Sequence, residues 1–181
     1  VYIDKYASEA DGIILFNRIK PHTSFRGKYE SGLMKMMAIG LGKQHGAESI
    51  HHQSPGIMHE LVEEYGLTIL QNCPVLGGIA IIENAYDETY LIKGLTADEI
   101  ITEEPKLRDL SYQTIAHLLF DKCDVLVVDK IGKNISGDGM DPNISGRFVQ
   151  PKYCSGGIDA EKVVILDLTD ETHGNAQGVG L

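Results

Sequence analysis

The chain has no tryptophan, three cysteines, six prolines and fewer basic than acidic residues. Each shortage removes a class of protein. Cys73, Cys123 and Cys154 are an odd, scattered set without a CxxC pair, which argues against a disulfide scaffold and against a cysteine-built zinc site, and leaves them as small buried hydrophobes. With 16 Lys and Arg against 26 Asp and Glu, the formal net charge is -10. A nucleic-acid binder displaces counterions with clustered Lys and Arg, so nucleic acid is not an expected partner. No apolar run approaches the roughly 20 residues that span a bilayer, and no charged-then-apolar leader opens these residues. The expectation is a cytoplasmic protein without a membrane partner. Tyr and Phe are sparse, at 8 and 4 residues, and no heptad pattern is present to fix an oligomer.

What remains is ordinary globular material, 43% hydrophobic and 23% charged over 181 residues, enough for one core. The chain opens at Val1 without Met and stops at Gly178-Val179-Gly180-Leu181. It therefore reads as one α/β domain over residues 1–181, truncated at both ends, a fragment of a larger protein.

Apolar runs bounded by turn residues mark strands at Gly12 to Phe16, Leu67 to Leu70, Gly78 to Ile82, Asp124 to Val128 and Val163 to Leu168. Continuous apolar runs belong to strands covered on both sides, so the expected fold is a mostly parallel sheet with helices on both faces. Ile57 to Tyr65 has helical spacing and stops at Gly66. Pro105 to Phe120 starts on a proline and repeats apolar residues at Leu107, Leu110, Ile115 and Leu118. Thr89 to Ile92 suggests an added hairpin strand, with a short helix capped at Thr96 after it. Two polar, glycine-rich segments, Lys20 to Met37 and Gly132 to Gly146, follow strands, where open α/β sheets bind ligands.

Chemistry concentrates between Asn17 and His52. Pro21 fixes its own φ and biases Lys20 toward extended backbone, so His22 sits at a rigid loop start, where a proton carrier must be. His51 is a second candidate, as a metal ligand through neutral imidazole. Lys35 lies in the apolar run Gly32-Leu33-Met34-Lys35-Met36-Met37. Desolvation there would make its amine a nucleophile or attachment point, and the plain alternative is a snorkelling helix lysine. Arg18, Lys20 and Arg26 are available to hold a carboxylate or phosphate. Gly40, Gly42 and Gly46 match neither nucleotide fingerprint.

The order of a Pro21-His22 loop, a Ser31-Gly32-Leu33-Met34-Lys35 element, the Gly40-to-Gly46 turn and then His51 resembles the nickel-pincer lactate racemase family. The phrases Glu83 to Thr89, Asp129 to Asn143 and Thr169 to Ala176 resemble an uncharacterised branch of it, so the likeness runs along nearly the whole chain. The resemblance implies a racemase or epimerase of a 2-hydroxy acid. In it His22 transfers protons, Lys35 covalently holds a nickel-pincer nucleotide, His51 ligates nickel, and maturation proteins supply the cofactor. The cofactor would accept hydride from the α-carbon. Leu33-Met34 stand where the racemases favour smaller residues, the loop from His22 to Ser31 is longer, and the family's other histidine would precede Val1. Two alternatives stay open, a Schiff-base enzyme built on Lys35 and a cofactor-free ligand-binding domain of the same fold. In Gly132 to Gly146, Asn134, Asp138, Asp141 and Asn143 suit either a Mg²⁺ or Ca²⁺ site or Asx-type turns, and no role is assigned to His173.

Overall fold

A computed structural model describes residues 1–176; the Gly178-Val179-Gly180-Leu181 ending lies outside them. The chain forms two compact units, Val1–Ile115 and Ala116–Leu181. Helices and strands alternate in an α/β arrangement, and two of the three strand pairings are parallel.

The first unit runs α1 (Lys5–Ser8), β1 (Ile13–Arg18), α2 (Leu33–Lys35), a π-helical turn over Met36–Leu41, α3 (Lys43–His51), α4 (Met58–Asn72), β2 (Val75–Glu83), β3 (Thr89–Thr96) and α5 (Ala97–Thr114). Strand order is β1-β2-β3, with β1 parallel and β3 antiparallel to β2. Burial along β1 alternates: Ile13 and Leu15 enter the core with Leu33, Met34, Val62, Ile82 and Ile100, while Ile14 and Phe16 are exposed. The exposed face continues onto β3 through Tyr90 and Ile92.

The second unit contains β4 (Lys122–Ile131), α6 (Pro142–Ser145) and β5 (Asp159–Leu168), the strands pairing in parallel with Leu126 opposite Val163 and Val128 opposite Ile165. Between β4 and α6, Asp141 accepts the Asn143 N–H at 2.8 Å, and Asn134 Oδ1 accepts the Thr169 hydroxyl at 2.6 Å. Among the described residues no group of three or more His, Cys, Asp or Glu side chains could hold a metal ion, so the cation reading of this loop gives way to Asx-type turn chemistry. Across the described residues no helix is long and apolar enough to cross a membrane.

Three elements differ from expectation, and packing decides each. Leu67 to Leu70 is the last part of α4, not a strand. Gly66 does not end that helix. A Cβ there would lie 2.7 Å from the Met34 Sδ-methyl carbon, so the glycine admits the segment carrying Lys35 against α4. The helix stops at Asn72, two residues before Pro74. Pro105 does not start a helix but sits inside α5, which begins at Thr96 with a reciprocal capping box to Glu99 and ends at Thr114, short of Phe120.

An interior proline leaves the carbonyl four residues before it without a helical donor. That carbonyl belongs to Ile101, and the buried Tyr29 hydroxyl donates to it at 2.8 Å. The defect in α5 is thus used to anchor the loop after β1. Tyr29→Phe should cost about 1–3 kcal/mol by orphaning the carbonyl, measured by urea unfolding. In a Pro105→Ala background the restored N–H satisfies Ile101, and the same substitution should cost clearly less. Equal costs in the two backgrounds would contradict this account.

Candidate functional site

Strand β1 delivers the chain to Lys20, whose backbone pairs with Ser31 (Lys20 N–H to Ser31 O 3.0 Å; Ser31 N–H to Lys20 O 3.3 Å) and closes the intervening residues into a loop. The loop is stiff because its interior is occupied. Glu30, 2% exposed, accepts the His22 N–H at 2.8 Å and the Tyr112 hydroxyl at 2.9 Å. Phe25 is buried and its ring stacks on the His22 imidazole at a centroid distance of 4.1 Å. Arg26 turns inward, donating to the His22 carbonyl, standing 3.7 Å from Glu30 and lying over the Tyr112 ring. Burial, then the Glu30 carboxylate, raises the Tyr112 phenol above its ordinary range.

Lys35 follows on α2, at its junction with the π-helical turn. π-Turns recur at functional sites because the widened helix re-aims a side chain. Its amine lies 2.6 Å from His22 Nε2. The other ring nitrogen, Nδ1, accepts the Ser24 N–H at 3.0 Å, so in the neutral imidazole the proton belongs on Nε2. An Nε2–H can donate to Lys35 only if the amine has a free lone pair. The network as built is that of an unprotonated lysine.

The electrostatics agree in direction. Burial, helped by the positive charge of Lys20, brings Lys35 down to about 8. Burial first, then the charges of Lys35, Arg26, His51 and Lys20, brings His22 down to about 3. The imidazole is therefore neutral across the physiological range, and its hydrogen on Nε2 is shared with a neighbouring lone pair.

Lys35 faces an open cleft of about 280 Å³ lined by Asn17, Arg18, Lys20, Ser31, Met36 and Ile39 among others. Of the three cationic candidates, Lys20 lines this cleft and makes no hydrogen bond or ion pair among the described residues. Arg18 also lines it but is paired with Glu83 at 2.8 Å. Arg26 is engaged inside the loop instead. His51 ends α3 as an exposed residue, near enough for its charge to bear on His22. The structure thus brings His22 and Lys35 together with Lys20 and Arg18, and leaves Arg26 as part of the frame.

Helix α5 supplies residues that the sequence reading missed. Ile101, Glu104, Arg108 and Tyr112 recur at spacings of three, four and four, one helical face. All four bind the loop: the Ile101 carbonyl takes the Tyr29 hydroxyl, Glu104 accepts the Met34 N–H at 3.1 Å, Arg108 donates to the Gly27 carbonyl and Tyr112 donates to Glu30. Glu104 is 1% exposed, and its Oε1 has no hydrogen-bond partner. Burial lifts its carboxyl to about 7 against the pull of the Met34 and Leu33 N–H groups. Gly32 leaves room for that oxygen, since a Cβ there would overlap it. The signal was the i, i+4, i+8 spacing of Glu104, Arg108 and Tyr112, polar residues on a helix read only for its apolar stripe.

No family model, curated protein or solved structure matches this chain.

If burial and the Lys20 charge set the amine, Lys35 should acylate with a midpoint near pH 8, followed residue by residue by mass spectrometry. Lys20→Ala should raise that midpoint further toward the ordinary lysine value. A Lys35 midpoint no lower than that of the exposed lysines would refute the assignment.

Proposed function

We propose that this cleft is the active site of a racemase- or epimerase-like enzyme acting on a 2-hydroxy acid, with Lys35 as the attachment point of a nickel-pincer nucleotide and His22 as the proton carrier. The observation that carries the reading is the 2.6 Å separation of His22 Nε2 and Lys35 Nζ beside the cleft. A lysine destined for a covalent bond must present a lone pair, and this arrangement presents one. The residues fit such a group: the amine borders the cleft, and Lys20 and the Ser31 hydroxyl have no partners among the described residues. His51 is the residue that would ligate the metal. When bound, the cofactor would supply the hydride acceptor for the substrate α-carbon.

The chain's own part is binding, orientation and proton movement. Lys20 holds a carboxylate by charge-assisted hydrogen bonds. His22, fixed by the Ser24 N–H and the Phe25 ring, gives up its Nε2 hydrogen to an oxygen placed where the lysine lone pair now stands, and takes one back in the reverse direction. The depressed value of about 3 means that this histidine does not accumulate as imidazolium, so it relays a proton and does not store one. Three free cysteines suit a cytoplasmic setting, where thiols stay reduced.

The unprotonated amine also favours a second reading, in which Lys35 condenses with the carbonyl of a 2-oxo acid, forming an imine and releasing water. One preparation separates the two. The protein is made in a host that also produces the pincer cofactor, with an established racemase as control, and its intact mass and metal content are recorded together. The proposal expects an adduct mapping to Lys35 with near-stoichiometric nickel. An unmodified Lys35 without nickel, while the control is loaded, would overturn it, and a borohydride-trapped 2-oxo acid on Lys35 would then establish the Schiff-base reading.

A further inference from the structure

The charges along the cleft can be followed one at a time. Three cationic side chains, Arg18, Lys20 and Lys35, line it, and none of its lining residues is acidic. Arg18 is neutralised by Glu83 at 2.8 Å. Lys35 has no charge to offer in the state that its hydrogen bond from His22 Nε2 requires. Lys20 is left, with no ion pair or hydrogen bond among the described residues. One uncompensated cation recognises one carboxylate, and a second carboxylate brought into the cleft would lose water without gaining a partner.

The rest of the lining has a different character. Met36 and Ile39, half-buried on the π-helical turn, form an apolar wall, and the backbone of Gly40 continues it. The polar groups, Asn17, Lys20, Ser31 and Lys35, stand on β1, the loop closure and α2. The Asn17 amide is fixed by donating to the Gly32 carbonyl at 2.9 Å. A ligand seated with its charged end on Lys20 and its reacting carbon toward Lys35 therefore sends its substituent over Met36 and Ile39. About 280 Å³ is below the roughly 300–1,000 Å³ of drug-sized sites. That space suits a small metabolite with several carbons in its side chain.

We propose that the cleft takes a 2-hydroxy or 2-oxo acid with a single carboxylate and an apolar side chain, the carboxylate on Lys20 and the side chain against Met36 and Ile39. This deepens the proposed function and rests on it. Selection for the side chain comes from the apolar wall, where one methylene is worth roughly 10-fold or more in discrimination. Selection against dicarboxylates comes from the lack of a second free cation.

The test is isothermal titration calorimetry at pH 9 of the full chain with 2-hydroxy-4-methylpentanoate, lactate and malate, alongside acylation of Lys35 on the same sample. The branched acid should bind at least about tenfold more tightly than either of the others, in line with the apolar contact it gains. Lys20→Ala should remove most of that affinity, Lys20→Arg should restore it, and Met36→Ala should narrow the gap between the branched acid and lactate. Malate binding as tightly as the branched acid, or affinity untouched by Lys20→Ala, would overturn the proposal while leaving the Lys35 chemistry standing. No binding by any acid to a protein whose Lys35 remains reactive would also overturn it. Loss of the unusual Lys35 reactivity itself would mark the failure of the proposed function.

Discussion

The hydrogen bond between His22 Nε2 and Lys35 Nζ is the constraint on which the rest of the first unit's polar architecture converges. It joins two side chains 13 positions apart, one on a loop and one on a helical turn. Two groups that both prefer to carry protons are pressed together where water is scarce, and each loses proton affinity. Such an arrangement is costly and persists only where the surroundings dictate it.

Those surroundings are chiefly one face of α5. Tyr112, through Glu30, fixes the backbone of His22; Glu104 fixes the backbone immediately before Lys35; Arg108 and the Ile101 carbonyl hold the intervening loop. The two ends of the pair are thus referred to the same rigid helix, which sets their separation. Glu104 is a positioning residue in this sense, since it touches Lys35 only through the main chain. Its buried, half-satisfied carboxylate is the sort of local cost that folded proteins accept near sites of chemistry. Pro105 belongs to the same device, because a helix with every carbonyl satisfied would offer Tyr29 nothing to bind.

Much of the scaffold was legible in the chain. The α/β class, four of the five expected strands and the Thr96 cap follow from apolar runs and capping chemistry, which act locally. Leu67 to Leu70 failed because a four-residue apolar run looks the same in a buried helix and in a strand, and Gly66 hid the continuity by serving packing against Met34. Pro105 misled for a related reason: its usual place at a helix start is a local preference, overridden by a tertiary hydrogen bond. In the site, the Pro21-His22 loop and the apolar setting of Lys35 were visible, but their contact was not. The roles of Arg18 and Arg26 depended on Glu83 and Glu30, partners that the sequence does not point to.

The central claim is that His22 carries its proton on Nε2 and shares it with an unprotonated Lys35. Long-range ¹H–¹⁵N correlation of the histidine rings at pH 9, assigned with a His22→Gln variant, reports the tautomer directly. The account predicts a His22 ring protonated on Nε2 and bare on Nδ1, with its Nε2 signal shifted when Lys35 is replaced by methionine. A His22 ring protonated on Nδ1, or one indifferent to Lys35, would contradict it.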